Sequence, residues 1–174
     1  MQKIKIRKSL DTDIPAIERL YSAAFPDEDL LPLVRCLLTG EPDILSLVAE
    51  AGQSIAGHVL FTLCGISGGN SRAALLAPLA VAPGHQRQGI GAALIREGLR
   101  QLGSEGIDQV FVLGDPAYYG RSGFEAETAV APPYPLPEQW RQAWQSLSLG
   151  SSRPPNQGRL LLPEPWMQPA LWGP

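Results

Sequence analysis

The sequence predicts an α/β fold, a mixed sheet covered by helices on both faces, and three stretches carry that prediction. Residues 73–81 are a run of small and branched apolar side chains, the pattern of a strand buried on both faces. Pro83 and Gly84 punctuate it, and from Ile90 the apolar residues Ala92, Ala93, Leu94, Ile95, Leu99 and Leu102 recur with helical spacing. Residues 107–114 are extended again, so 73–114 reads as strand, helix, strand, with the two strands parallel. Earlier in the chain, residues 45–50 and 54–63 are two strands separated by Ala51-Gly52-Gln53, a hairpin length.

Taken in order, Ile4 and Ile6 alternate with Lys3, Lys5 and Arg7, as in a half-buried first strand. Asp11, Thr12 and Asp13 offer helix caps, and Pro15 suits a first turn. Ile14, Ile17, Leu20, Tyr21 and Ala24 make one helical face. Pro26-Asp27-Glu28-Asp29 ends that helix, and Leu30, Leu33, Val34, Leu37 and Leu38 define a second one that runs to Gly40. Residues 68–71 are a turn before the central strand. The central helix ends at residues 103–106. Asp115 and Pro116 then fit the cap and first position of a short helix, and Gly123-Phe124 opens another extended segment. Pro132, Pro133, Pro135 and Pro137 suppress regular structure. Trp140, Trp144 and Leu147 recur at helical offsets within 138–149, although 147–149 also reads as a strand. Residues 151–156 are a loop, and 158–166 is a closing strand only by the resemblance described below.

The turn between central strand and central helix is where chemistry concentrates. Gln86-Arg87-Gln88-Gly89-Ile90-Gly91 falls at the helix start, where backbone N–H groups have no partner inside the helix. Gly89 and Gly91 carry no side chain to block close approach, and the helix dipole adds partial positive charge. This is an anion site suited to a phosphate or pyrophosphate. A P-loop would need Gly-Lys-Ser or Gly-Lys-Thr, which the chain lacks. A dinucleotide fingerprint would need a small residue where Leu94 stands, and a place in the first strand–helix unit.

The third option is a resemblance. Gln86-x-x-Gly89-x-Gly91 resembles the Gln/Arg-x-x-Gly-x-Gly/Ala motif that binds the coenzyme A pyrophosphate in the GNAT acetyltransferase superfamily. Tyr119-x-x-x-Gly123-Phe124 looks like the helix end that closes the site in that superfamily. The stretch from Leu113 through Asp115-Pro116 and Tyr118-Tyr119 to Arg121 is similar, more narrowly, to a bacterial subgroup of predicted N-acetyltransferases. The departures are Ser122, where the subgroup often has a bulky apolar residue, and Trp166, where its closing segment has phenylalanine. The resemblance covers about residues 3–130 well. It implies a single N-acetyltransferase domain over 1–174, with 131–174 a Pro-rich, Trp-bearing extension. The implied fold is a mixed, mostly antiparallel central sheet flanked by helices, with a splayed parallel pair in its middle. The implied activity is transfer of an acetyl group from acetyl-CoA, as cosubstrate and without a metal, to a primary amine by direct attack. Cofactor contacts would come from Leu79, Ala80 and Val81, whose backbone would hold the pantetheine arm like an added strand, and from Gln86, Arg87, Gln88, Gly89, Ile90, Gly91 and Ala92. His85 and Arg87 would assist the phosphates or serve as ordinary turn residues.

Tyr119 is the implied general acid. A phenol with pKa about 10 is protonated at neutral pH and can donate to a departing thiolate of pKa about 8.5. The plainer reading is a buried aromatic with a satisfied hydroxyl. Tyr118 beside it reads as packing. No base stands out: Glu50 and His58 fall on strands bordering the acceptor cleft implied by the resemblance, but a strand-end carboxylate and a satisfied histidine explain them equally, and water can serve. Asp27, Glu28 and Asp29 would attract a cationic amine or simply be solvated. A non-catalytic acyl-CoA-binding sensor is the competing reading, which has no need of the Tyr119 hydroxyl.

Composition sets the outer bounds. The 174 residues suit one domain with a real core, and 44% hydrophobic with 18% charged residues is a soluble globular composition. No apolar run approaches the roughly 20 residues of a spanning helix, and the basic start alternates rather than forming a signal segment. Net charge is −3 and basic residues cluster only in the first eight positions, which argues against a nucleic-acid scaffold. Cys36 and Cys64 lack metal spacing and read as free, partly buried thiols. These features fit a cytoplasmic protein with no nucleic-acid and no membrane partner and leave a homodimer open, while the resemblance implies an enzyme whose partner is a small-molecule or peptide amine.

Overall fold

A computed structural model describes residues 3–150 and 156–174. The loop expected at 151–156 therefore lies outside the described residues apart from Asn156. The chain divides into two compact units, Met1–Phe61 with Ala77–Gly98, and Thr62–Leu76 with Leu99–Pro174.

In the first unit β1 (Ile4–Lys8) pairs antiparallel with β2 (Ile44–Ala51), in register from Ile4↔Ala51 to Lys8↔Leu47. A tight turn at Gly52, with φ 65°, leads into β3 (Ser54–Ile66), whose next neighbour is β4 (Arg72–Val81). Helices α1 (Ile14–Ala24) and α2 (Leu31–Thr39) have the expected apolar faces. Ile17, Leu20, Tyr21 and Val34 pack with Val48 and Ala80 in one buried cluster. Helix α3 (Ile90–Ser104) packs on the alternate residues of β3. A Cβ at Gly57 would stand 2.9 Å from Ile90 Cγ2, and one at Gly98 only 2.2 Å from the Phe61 ring. Those two glycines are what let strand and helix approach so closely. The cap expected from Asp13 is replaced by an ion pair: its carboxylate takes the Arg7 guanidinium at 2.7 and 3.0 Å and the Leu10 N–H at 2.7 Å.

In the second unit β5 (Gln109–Leu113) lies parallel to β4, as expected, with Ala73↔Gln109, Ala74↔Val110 and Leu75↔Phe111 in register. Among the described residues that ladder ends at Leu75. Ala73 to Leu76 are buried, whereas Ala77, Pro78, Leu79 and Val81 are only half-buried. Burial on both faces therefore holds for the first half of β4 alone, and Pro78 has no N–H to extend a ladder. After β5 come the short helix α4 (Pro116–Tyr119), β6 (Glu125–Ala126) and β7 (Val130–Ala131).

The helical offsets of 138–149 resolve differently. A 3₁₀ turn over Glu138–Ala143 gives way to a strand, β8 (Trp144–Ser148), antiparallel to β5 from Leu113↔Trp144 to Gln109↔Ser148. The edge of β5 needs backbone partners, and Trp144 stacks on Phe111 at 5.5 Å while its indole donates to Val130 O; these demands override the local spacing. The closing strand is also shorter than expected, β9 (Gly158–Leu161), because Pro163 and Pro165 stop it. It pairs with β3 and, in parallel, with β7. Trp166 donates to Thr62 Oγ1 and Trp172 to the Trp166 carbonyl, so the terminal indoles are both buried and satisfied. The two cysteines also differ from one another: Cys36 is exposed, while burial pushes the half-buried Cys64 thiol up to about 12.

Candidate active site

In the first unit β4 gives way to a 3₁₀ turn at Pro83–His85 and then to the exposed stretch from Gln86 to Gly89. Two residues there turn left-handed: Arg87 at φ 63° and Gly89 at φ 82°. For an L-side chain such as Arg87 this conformation costs roughly 1–2 kcal/mol, a strain that persists only where surroundings impose it. It is a feature the sequence does not announce. The first intrahelical bond of α3 runs from Ala93 N–H to Gly89 O at 3.0 Å. The N–H groups of Ile90, Gly91 and Ala92 are therefore the helix's orphan donors. A Cβ at Gly89 would meet no atom within 4 Å, so open space lies over the turn. Orphan donors, an open approach and the positive end of a 15-residue helix fit a phosphate group. The Gln86 side chain instead donates back to Val81 O at 3.2 Å, bracing the turn against the end of β4. His85 is half-buried, and the Arg87 side chain is exposed.

The two candidate bases are both occupied. Glu50 accepts from Arg7 Nε at 2.7 Å. His58 is completely buried, with Nδ1 2.7 Å from the Tyr21 hydroxyl and Nε2 2.8 Å from Ser46 Oγ. Burial lowers its pKa to about 3. Asp27, Glu28 and Asp29 are exposed, and they line a pocket of about 340 Å³ between α1 and α2 together with Tyr21, Phe25 and Leu31.

In the second unit Asp115 caps α4 as expected, its carboxylate accepting from Ala117 N–H at 2.9 Å, with Pro116 in the first turn. The cap sets the direction of the helix that carries Tyr118 and Tyr119. Gly123, at φ 100°, ends the following turn and returns the chain to Phe124. The Tyr119 ring meets Phe124 edge-on at 5.9 Å and Tyr118 at 5.0 Å. Gly114 is the supporting residue that sequence reasoning missed: a Cβ there would stand 2.5 Å from Tyr119 Cε2. Its signal was present, a glycine directly after a buried strand. Arg121 lies over the Tyr118 ring at 5.3 Å, so Tyr118 has its own packing role. The Tyr119 hydroxyl has no hydrogen-bond partner among the described residues, and no described buried side-chain polar atom is left unpaired. Burial raises its pKa above the usual phenol value, with the neighbouring Tyr118 adding to the shift, so the group is protonated at neutral pH. This hydroxyl is thus a protonated donor not engaged by another side chain or carbonyl among the described residues. No group of three or more potential metal-ligating side chains occurs among the described residues, and none of their helices is long and apolar enough to cross a membrane.

Known proteins are similar to this chain in sequence and fold. Residues 14–124 match the sequence pattern of the Acetyltransferase (GNAT) family. The uncharacterized N-acetyltransferase YjhQ of Escherichia coli K12 is 37% identical over 145 residues, which is 79% of this chain and 80% of the relative. The crystal structure of the GNAT family N-acetyltransferase YhbS from E. coli, in complex with CoA, superposes with a TM-score of 0.84 at 27% identity, covering 97% of this chain and 94% of that one. A GNAT family acetyltransferase from Brucella melitensis, in complex with acetyl-CoA, gives 0.77 at 31% identity over 95% and 99%. The family match over most of the chain and the 37% identical relative show that this chain belongs to the GNAT acetyltransferases.

Proposed function

We propose that this protein transfers the acetyl group of acetyl-CoA to a primary amine by direct attack, with Tyr119 as the general acid. The observation that carries the reading is the Tyr119 hydroxyl, which is protonated, supported by Gly114 and Phe124, and without a partner among the described residues. Acetyl-CoA supplies the thioester carbonyl; the neutral amine forms the new C–N bond and gives up one N–H proton to solvent, and the C–S bond breaks. The chain's residues act around that exchange. The N–H groups at Gly89, Ile90, Gly91 and Ala92 hold the pyrophosphate, with Arg87 and Gln88 shaping the turn and Gln86 bracing it. The backbone at Leu79, Ala80 and Val81, left half-open beyond the ladder with β5, holds the pantetheine arm. Tyr119 gives its proton to the departing thiolate and recovers one from solvent. The single-domain organisation over 1–174 belongs to this reading.

Two measurements test it together. Isothermal calorimetry should show acetyl-CoA binding to the wild type and its loss in Gly89→Glu and Gly91→Glu, which bring bulk and negative charge to the orphan donors while the far-UV spectrum is kept. A screen of amines with thiol-release detection should find an acceptor. Undiminished binding in both variants would remove the pyrophosphate site; tight binding with no thiol released to any amine would favour a sensor.

A further inference from the structure

In the second unit the Tyr119 ring is bounded by Gly114, Phe124 and Tyr118, and these are not held equally firmly. The Gly114 backbone is pinned on both sides: its N–H donates to Ala143 O at 2.9 Å and its carbonyl accepts from Gln145 Nε2 at 3.1 Å. Phe124 is buried and meets the ring edge-on. Tyr118 is different. It lies on α4, a helix of 4 residues, and is only half-buried. Its ring crosses that of Tyr119 at 88° and 5.0 Å, and its hydroxyl makes no hydrogen bond among the described residues. One helical turn leaves such a side chain a choice of rotamers. What lies over its ring is Arg121, with the guanidinium carbon 5.3 Å from the centroid. Residues three apart eclipse one another in a 3₁₀ turn, and the turn Gly120–Ser122 follows α4 directly, which brings Arg121 onto Tyr118. Arg121 is exposed and makes no ion pair among the described residues, although Asp115 and Glu125 are close in sequence. Its charge is therefore spent on the ring and not on a carboxylate.

We propose that Arg121, acting through the Tyr118 ring, is a positioning residue that fixes the direction of the Tyr119 hydroxyl, an inference that rests on Tyr119 as the general acid. Proton delivery needs a donor aimed at one point, and a misplacement of about 1 Å can cost roughly 10²-fold in rate. No hydrogen bond to a described residue aims this hydroxyl, so the ring contacts do. Tyr118 is the movable wall among them, and Arg121 locks it. Burial first and Tyr118 second raise the Tyr119 pKa, so the same contact helps to keep the phenol protonated. Arg121 and Tyr118 act on the reaction only through Tyr119.

The test combines a spectrum with a double-mutant cycle. The chain has four tyrosines, so with carbon-13 at the tyrosine ring ε positions each NMR signal can be assigned from its Phe variant. Arg121→Ala should shift and broaden the Tyr118 and Tyr119 signals and leave those of Tyr21 and Tyr134 in place. Arg121→Lys keeps a cation for the ring and should restore most of the Tyr119 signal. With the amine that the thiol-release screen selects, kcat should fall roughly fivefold in Arg121→Ala and recover in part in Arg121→Lys, with acetyl-CoA affinity unchanged. In a Tyr119→Phe background Arg121→Ala should cost nothing further, because the hydroxyl it aims is gone. A Tyr119 signal unchanged in Arg121→Ala, an unchanged kcat, or an equal loss of kcat in both backgrounds would overturn the assignment. If the wild type turns over no amine, the acetyl-transfer reading fails, and the Tyr119 signal still decides whether Arg121 holds the ring.

Discussion

His58 is held without charge on β3: desolvation lowers its pKa to about 3, although Asp13 pulls the other way. An unfolded histidine takes up a proton below about pH 6.5, whereas the folded one stays neutral down to about 3. Between those values the unfolded state binds more protons, so stability falls as the pH drops, by up to about 1.4 kcal/mol per pH unit. Asp13 adds a second loss at lower pH, because Arg7 holds its carboxyl below 3.8 in the folded state. Urea unfolding of His58→Gln should therefore lose less stability than wild type between about pH 6 and pH 4, and an identical slope in the two proteins would contradict this. At this scale the sequence was uneven. Asp115 and Pro116 announced the α4 cap because capping is local. His58 and Glu50 could not be read, because their partners Tyr21, Ser46 and Arg7 lie 37, 12 and 43 positions away. Arg87 gave no sign of its left-handed backbone, since that conformation is imposed by the turn and not by the residue.

Helix α3 and its two glycine contacts carry the element-scale argument. Alanine at a helical glycine normally gains about 1 kcal/mol in propensity. At Gly98, however, the added methyl would meet Phe61 Cε2 at 2.2 Å and Cζ at 2.4 Å, and this ring is fully buried. Overpacking of that kind costs about 1–3 kcal/mol, so Gly98→Ala should lower the melting temperature despite the propensity gain. A raised melting temperature would show that the helix can shift off β3. The unit of β4, α3 and β5 was legible because its apolar periods switch cleanly and the chirality of the crossover leaves one arrangement. Strand β8 was not, since its partner β5 is more than thirty residues away and Trp144 is placed by Phe111 and Val130. The glycine turn was legible as an anion site, but the bracing by Gln86 needed coordinates.

For the whole molecule, the order of elements through residue 126 followed the sequence, and the same stretch holds the 14–124 family match. The remainder is built from indoles rather than from periodicity. Trp172 meets Trp144 at 5.8 Å and Trp166 at 6.2 Å, and Trp144 in turn stacks on Phe111 of β5. Aromatic contacts of this kind depend on three-dimensional placement, which proline-rich sequence conceals. They give the C-terminal segment a role in the second unit, the one that also carries Tyr119. Family membership establishes the enzyme class; the acceptor and the proton path rest on individual side chains.

The central claim is that the Tyr119 hydroxyl delivers the proton that releases the thiol. Tyr119→Phe removes one oxygen and keeps the ring packed on Gly114 and Phe124. Steady-state kinetics of wild type and Tyr119→Phe, with any working acceptor and with direct acetyl-CoA binding alongside, tests it most directly. The account predicts a fall in turnover of roughly 10²–10⁴-fold with nearly unchanged acetyl-CoA affinity, and a smaller fall with a thioester whose thiol is more acidic. Wild-type turnover in Tyr119→Phe would contradict it.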